Sequence, residues 1–215
     1  MLIICDFDGT ITLQDVTDHL LDHFTAKEWR KLLEPFHAGE ISHMEIMQKG
    51  YAYLKTPEKE LLDYARQNIQ LRPSFKALLQ LCAEKEWPFV VVSGGLDFYI
   101  KALLEEGVEF YSYQADYNEY WRVRLPAWPI LEDGQDFKVR IVEELQLKYP
   151  GQEVAFIGDG RNDFQAGSRA DYLFTVAGSR LSRLCNQGGK PHTEFTTFGE
   201  VIATLQQLEN GKYEE

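Results

Sequence analysis

The chain has 215 residues, 44% of them hydrophobic, and a formal charge of −12 from 22 basic and 34 acidic side chains. That is enough for one sizeable core, and so acidic a surface argues against nucleic acid or an anionic membrane as the main partner. Three scattered cysteines, Cys5, Cys82 and Cys185, lack metal-ligand spacing and suit reduced thiols of a cytoplasmic protein, and neither a membrane span nor a secretory signal is legible.

The apolar run at 2–6 reads as a buried first strand. From 14 to 71 the pattern is helical, with Leu13, Val16, Leu20 and Leu21 at helical spacing and three or four short helices expected. Ser42 and Glu45 form a capping-box pattern, and Thr56-Pro57-Glu58 reads as a cap followed by proline at the first helical position. Phe24, Trp29, Phe36, Tyr51 and Tyr53 are expected in the core of this helical block. Beyond Arg72-Pro73 strands and helices alternate: a helix at 73–86, a strand at 88–92, a helix at 96–106, strands near 109–113 and 120–125, and a helix at 136–147. A strand at 153–157, a helix to about 170, a strand at 172–176 and a last helix at 197–208 follow, with a polar tail from 209 to 215. Such alternation predicts an α/β fold: a three-layer, Rossmann-like core around a mostly parallel sheet. The predicted core spans 1–13 and 72–215, and 14–71 is a small helical cap domain inserted after the first strand.

Three apolar strands end in polar residues. Asp6 and Asp8 follow the first, Ser93-Gly94-Gly95 the second, and Asp159 through Asp163 a later one, with Lys138 near a helix start between the last two. Parallel strands bring their carboxyl ends together, so these residues are expected in one pocket. Two neighbouring carboxylates repel and resist desolvation, which a hard divalent cation with a phosphate offsets. Asp159 with Asp6 suits Mg²⁺. Ser93, the N–H of Gly94 and the Lys138 ammonium suit phosphate oxygens. One carboxylate can act as nucleophile and the other as acid and base.

In order and over nearly the whole chain, these motifs resemble those of the haloacid dehalogenase superfamily of phosphatases. The resemblance implies that Asp6 is the nucleophile and Asp8 the acid/base. It implies that Mg²⁺ is held by Asp6, the Asp8 carbonyl and Asp159, with Asp163 in support, and that Thr10 and Asn162 shape the site. The inserted helical block is similar to the cap of the phosphoserine phosphatase group. Within that group the stretches 3–12, Glu28-Trp29, 71–75 and 92–98 resemble the methionine-salvage phosphatases of 2-hydroxy-3-keto-5-methylthiopentenyl-1-phosphate. Those enzymes carry a cysteine-rich stretch ahead of the third-motif lysine, where this chain has residues 131–137 instead. The implied partner is a small phosphorylated metabolite, bound by a monomer or homodimer.

Asp15 stands where a phosphoserine phosphatase has Glu and Lys49 about where it has a cap Arg, so both are candidate substrate contacts. Each also has a bland reading: Asp15 as an acid capping Thr12, Lys49 as a solvated helix residue. His19 and His23 lie four apart without a third ligand and read as surface or cap-lining groups. The other enzyme readings are a dehalogenase, a phosphonatase or a phosphomutase, and the non-enzyme one is a catalytically silent binding protein.

Overall fold

The computed structural model describes residues 1–128, 131 and 136–211. Among the described residues seven strands form one sheet in the order β4-β3-β2-β1-β5-β6-β7. They are β1 (Leu2–Cys5), β2 (Phe89–Leu96), β3 (Glu109–Asn118), β4 (Tyr120–Arg124), β5 (Val154–Gly158), β6 (Tyr172–Val176) and β7 (Thr193–Phe195). All pair in parallel except β3 with β4. β1 and β5 are buried at every residue. Successive side chains point to opposite faces, so burial of this kind requires cover on both sides, and the result is three layers. β1 lies between β2 and β5, and the chain leaves it in both directions, which makes its carboxyl end the switch point where an open α/β sheet forms a crevice.

Four α-helices and a 3₁₀ turn at Glu28–Leu32 occupy the stretch between β1 and the next core helix, the α-helices being α1 (Val16–Phe24), α2 (Leu33–His37), α3 (His43–Tyr51) and α4 (Glu58–Asn68). The two passes of chain that connect them to the sheet meet in an isolated antiparallel bridge between Thr12 and Leu71. Leu13 N donates to Gln70 O and Arg72 N to Ile11 O, which ties outgoing and returning segments together. Leu13 therefore belongs to this linker and is 43% exposed rather than part of the helical stripe. Val16, Leu20, Leu21, Trp29, Met47 and Tyr51 are buried in the same apolar cluster as β1 and β2, and Phe24, Phe36 and Tyr53 pack against it partly buried. The remaining helices are α5 (Phe75–Glu84), α6 (Asp97–Leu103), α7 (Phe137–Lys148), α8 (Asp163–Gly167), α9 (Arg180–Gly188) and α10 (Phe198–Gly211).

Local chemistry explains the boundaries. The Ser42–Glu45 capping box forms as expected. Pro57 is the N-cap of α4 rather than its first helical residue, because its ψ of 153° is extended. β2 continues through Ser93, Gly94 and Gly95 to Leu96, with a register irregularity after Val92, rather than ending at 92. α6 stops at Leu103, short of the expected 106, because Leu104 is extended. β3 is twice its expected length and makes an antiparallel hairpin with β4. Neither α9 nor β7 was expected. α9 has few apolar residues, though Ser179 caps it by accepting from Ser182 N, and β7 has only three residues. Part of the expected polar tail lies in α10, and residues 212–215, like 132–135 of the segment before Lys138, lie outside the described residues. No described helix is long and apolar enough to cross a membrane.

Candidate active site

Asp6 is the first residue beyond β1. Its backbone N–H donates to Ile157 O, which places it beside the end of β5. The chain then turns through Phe7–Ile11, a π-type turn broken at Asp8 and Gly9. Gly9 has φ 77°, and a Cβ there would sit 2.7 Å from Asp159 Oδ2, so both the turn and the close approach call for glycine. The turn lifts Asp8 over the sheet edge and directs Thr10 inward, where its buried hydroxyl lies 3.4 Å from Asp6 Oδ2 and 3.1 Å from Asp159 Oδ1.

Lys138, in the first turn of α7, brings its buried ammonium to 2.6 Å from both Asp6 Oδ1 and Asp163 Oδ1. Burial pulls its pKa down, but the carboxylates of Asp163 and Asp6 outweigh that, and the net shift is upward, so the cation is retained. Asp163 is fully buried and spends its other oxygen on the N–H groups of Asp159 and Gly160 at 3.1 and 2.8 Å. It thereby shapes the loop that presents Asp159. One oxygen each of Asp6, Asp159 and Asp163 lie within 4.8 Å of one another. Burial raises the pKa of Asp6, with Asp163 and Asp159 adding repulsion against the opposing pull of Lys138. Burial and then Asp163 push Asp159 up to about 6. Three hard oxygen donors crowded this closely fit a divalent cation, since such an ion offsets their mutual repulsion.

Ser93 is fully buried; its hydroxyl accepts from Gly95 N at 2.9 Å and donates to Asp8 Oδ2 at 3.2 Å. Burial, then the neighbouring Asp15 charge, pushes Asp8 up to about 7 against three donated hydrogen bonds. A cavity of about 690 Å³ opens above these groups and is lined by Asp6, Asp8, Ser93, Gly94, Asp159 and Asn162 on the sheet side. Across it lie Asp15, Asp18, Trp29, Phe36, His43 and Met47 from the helical block.

The expected residues divide accordingly. Asp6, Asp8, Thr10, Ser93, Gly94, Lys138, Asp159, Asn162 and Asp163 all gather at this end of the sheet. Asp15 lines the cavity too, and it does not cap Thr12: it is itself the N-cap of α1, accepting from Asp18 N at 2.8 Å. Lys49 points elsewhere; it is half-exposed, pairs with Glu45 at 3.9 Å, and is not among the cavity-lining residues. His19 and His23 pack on the Tyr64 ring at 5.6 and 4.1 Å.

Four contributors were not foreseen. Arg72, read as a boundary and as part of the resembling stretch 71–75 but given no role, is buried and donates to the carbonyls of Gly9, Thr10 and Thr196, clamping the turn that carries Asp8. Tyr99 donates to Asp8 Oδ2 at 2.9 Å. His43 sits against Gly94, where a Cβ would meet its ring at 2.6 Å, and its Nδ1 lies 3.3 Å from Tyr113 OH. Burial, then Lys138, lowers its pKa to about 4 and keeps the ring neutral. Arg180 begins α9 and lines the cavity, held there because Leu181 N donates to Asp159 O. A cation at a helix N-terminus opposes the dipole, but at Arg180 that signal depends on a helix at Arg180–Gly188, which was not expected from the sequence.

Residues 3–168 match the haloacid dehalogenase-like hydrolase family. The chain is 32% identical over 220 residues to the 2-hydroxy-3-keto-5-methylthiopentenyl-1-phosphate phosphatase of Geobacillus kaustophilus, covering 97% of each. It is 30% identical to the Bacillus pumilus protein of the same name, covering 98% of this chain and 93% of that one. Its fold is similar to that of a solved phospho-aspartyl intermediate analogue of phosphoserine phosphatase, with a TM-score of 0.74, 17% identity, and coverage of 94% and 97%. With a family match over most of its length and the strand-end acids converging as that family's motifs require, this chain belongs to the haloacid dehalogenase-like hydrolases.

Proposed function

We propose that the protein is a Mg²⁺-dependent phosphomonoesterase in which Asp6 is the nucleophile and Asp8 the acid and base. The observation that carries this reading is Asp6 itself: a buried carboxylate at the mouth of β1, 2.6 Å from the Lys138 ammonium and grouped with Asp159 and Asp163. Asp6, the Asp8 carbonyl and Asp159 would hold the ion, with Asp163 fixing the loop. A magnesium ion bound there neutralises charge on the phosphoryl oxygens.

The chain's own groups do the rest. Ser93, the Gly94 N–H and Lys138 hold the phosphoryl oxygens, and Thr10 and Asn162 shape the site. An oxygen of Asp6 bonds to phosphorus as the ester P–O bond breaks, and Asp8 gives its proton to the departing oxygen. Water then attacks phosphorus and passes a proton to Asp8, which frees phosphate and restores Asp6. Residues 14–71 act as a cap that closes over the substrate and excludes bulk water. The protein works in the cytoplasm as a monomer or homodimer, in keeping with its three buried free cysteines.

For the substrate we favour 2-hydroxy-3-keto-5-methylthiopentenyl-1-phosphate or a close analogue. Support comes from the relatives that carry that name and from the apolar wall of Leu21, Trp29, Phe36 and Met47, which suits an apolar chain. Phosphoserine is the second reading, favoured by the solved structure above. Against it, no lysine or arginine from residues 14–71 lines the cavity to meet an amino-acid carboxylate. The test is a screen of phosphorylated metabolites, both candidates included, with Mg²⁺ and after chelation. Metal-dependent release of phosphate, fastest from the methylthio ester, is expected. Absence of turnover with every ester in Mg²⁺ would refute the reading.

A further inference from the structure

Two of the three donors that hold Asp8 lie outside the motifs. Its Oδ1 accepts from Val16 N at 3.0 Å, and its Oδ2 accepts from Tyr99 OH at 2.9 Å and Ser93 Oγ at 3.2 Å. Tyr99, fully buried on α6, lies 3.1 Å from Thr17 Oγ1 on α1. Thr17 in turn lies 3.5 Å from Tyr51 OH at the end of α3. A hydroxyl carries one proton. Tyr99 spends its proton on Asp8, so Thr17 must donate to Tyr99 and Tyr51 to Thr17. The chain therefore runs one way, from Tyr51 through Thr17 and Tyr99 to Asp8. Gly95 makes room for it: a Cβ there would stand 1.9 Å from Tyr99 OH and 2.2 Å from Asp8 Oδ2.

We propose that Tyr99 is a positioning residue for Asp8, backed by Thr17 and Tyr51, so that the acid is aligned only while α1 and α3 are docked on the sheet. This rests on the reading of Asp8 as the proton donor to the leaving group. Each carboxylate oxygen has two lone pairs. Val16 N–H occupies one on Oδ1 and Tyr99 one on Oδ2, which fixes the plane of the group. When the Ser93 hydroxyl turns to a phosphoryl oxygen, Tyr99 remains to hold Oδ2 and the other lone pairs are open to the transferred proton. Without Tyr99 the carboxyl group can rotate, and proton delivery to a poor leaving group suffers.

The experiment compares two substrates in Mg²⁺: 4-nitrophenyl phosphate, whose leaving group departs without a proton, and the alkyl phosphomonoester that the wild-type protein hydrolyses fastest. In single-turnover runs, which follow leaving-group release before Asp8 acts on water, Tyr99→Phe should slow release from the alkyl ester by about 30-fold, and from the aryl ester by under about 3-fold, with substrate affinity little changed. Thr17→Val should show the same split at about 5-fold, which keeps the test open if Tyr99→Phe folds poorly. Equal losses on both esters, or none on either, would mean that the pair is merely structural. Asp8→Asn separates the layers. If it shows the aryl-sparing split and Tyr99→Phe and Thr17→Val do not, the positioning role falls and the acid assignment stands. If it slows leaving-group release from both esters equally in single turnover, the acid assignment itself fails.

Discussion

Lys138 Nζ stands 2.6 Å from Asp6 Oδ1 although 132 residues separate them in the chain. The same ammonium is equally close to Asp163. Removing it leaves two buried carboxylates without a cation. Lys138→Met is therefore expected to destabilise the fold by about 3–5 kcal/mol, the usual result of breaking a buried pair. It should also lower turnover at least about 10³-fold, through loss of a charge aimed at the phosphoryl group. Urea unfolding and kinetics on the same preparation check both; a variant as stable as wild type contradicts the first.

Asp6→Asn keeps the shape of the site but removes the attacking charge. Turnover should fall to less than about 10⁻³ of wild type while circular dichroism and thermal unfolding report a folded protein. Substantial phosphate release from a well-purified Asp6→Asn or Asp6→Ala protein would rule out the nucleophile.

The pH dependence follows from the direction of the carboxylate shifts. Burial, first, raises Asp6, Asp8 (to about 7) and Asp159 (to about 6) above the ordinary carboxylate value. The folded, metal-free protein thus holds protons that the unfolded chain has released. Stability from these groups is fully present below about pH 4 and is lost as pH rises through about 7. A divalent cation would replace the protons of Asp6 and Asp159, so its stabilising effect grows with pH. Saturating Mg²⁺ should raise Tm more at pH 8 than at pH 5, as read by scanning calorimetry against chelated controls. Equal shifts at the two pH values would show that these acids do not carry the metal.

Arg72 satisfies three carbonyls, two of them in the turn between Asp6 and Thr12. Arg72→Ala should cost about 2–4 kcal/mol and lower kcat more than it changes KM, since the turn loses its support. Arg72→Lys should recover only part of either, because one ammonium cannot span the same acceptors. Denaturant midpoints and steady-state kinetics on the two variants make the comparison.

Lys49→Ala is expected to leave kcat/KM within about twofold of wild type. Its partner is an exposed acid one helical turn away, a contact with at most a few tenths of a kcal/mol at stake. A tenfold rise in KM for any cognate ester would return Lys49 to the cavity wall.

Much of this protein is written locally. The run before Asp6 is too short and too apolar for anything but a buried strand, and its abrupt end in Asp-Phe-Asp-Gly marks a strand mouth. The strand–helix alternation after Arg72 demands a parallel sheet, and a parallel sheet obliges the ends of β1, β2 and β5 to converge. Those facts are enough to bring Asp6, Ser93 and Asp159 together, because strand register and crossover geometry leave little choice. α9 and β7 escaped because one has a single short apolar stripe, Leu181, Leu184 and Cys185, in an otherwise polar stretch and the other is too short to show a period.

Contacts between side chains on separate helices were decided only by the folded chain. Nothing near Tyr99 in sequence says that its hydroxyl reaches Asp8, nor that Thr17 and Tyr51 stand behind it. Nothing near Arg72 says that its guanidinium reaches back to Gly9. Lys49 shows the converse, a plausible position on a helix whose facing sends the side chain to solvent. Periodicity tells which side of a helix is buried, but the rotation and docking of that helix against the sheet come from packing the whole core at once.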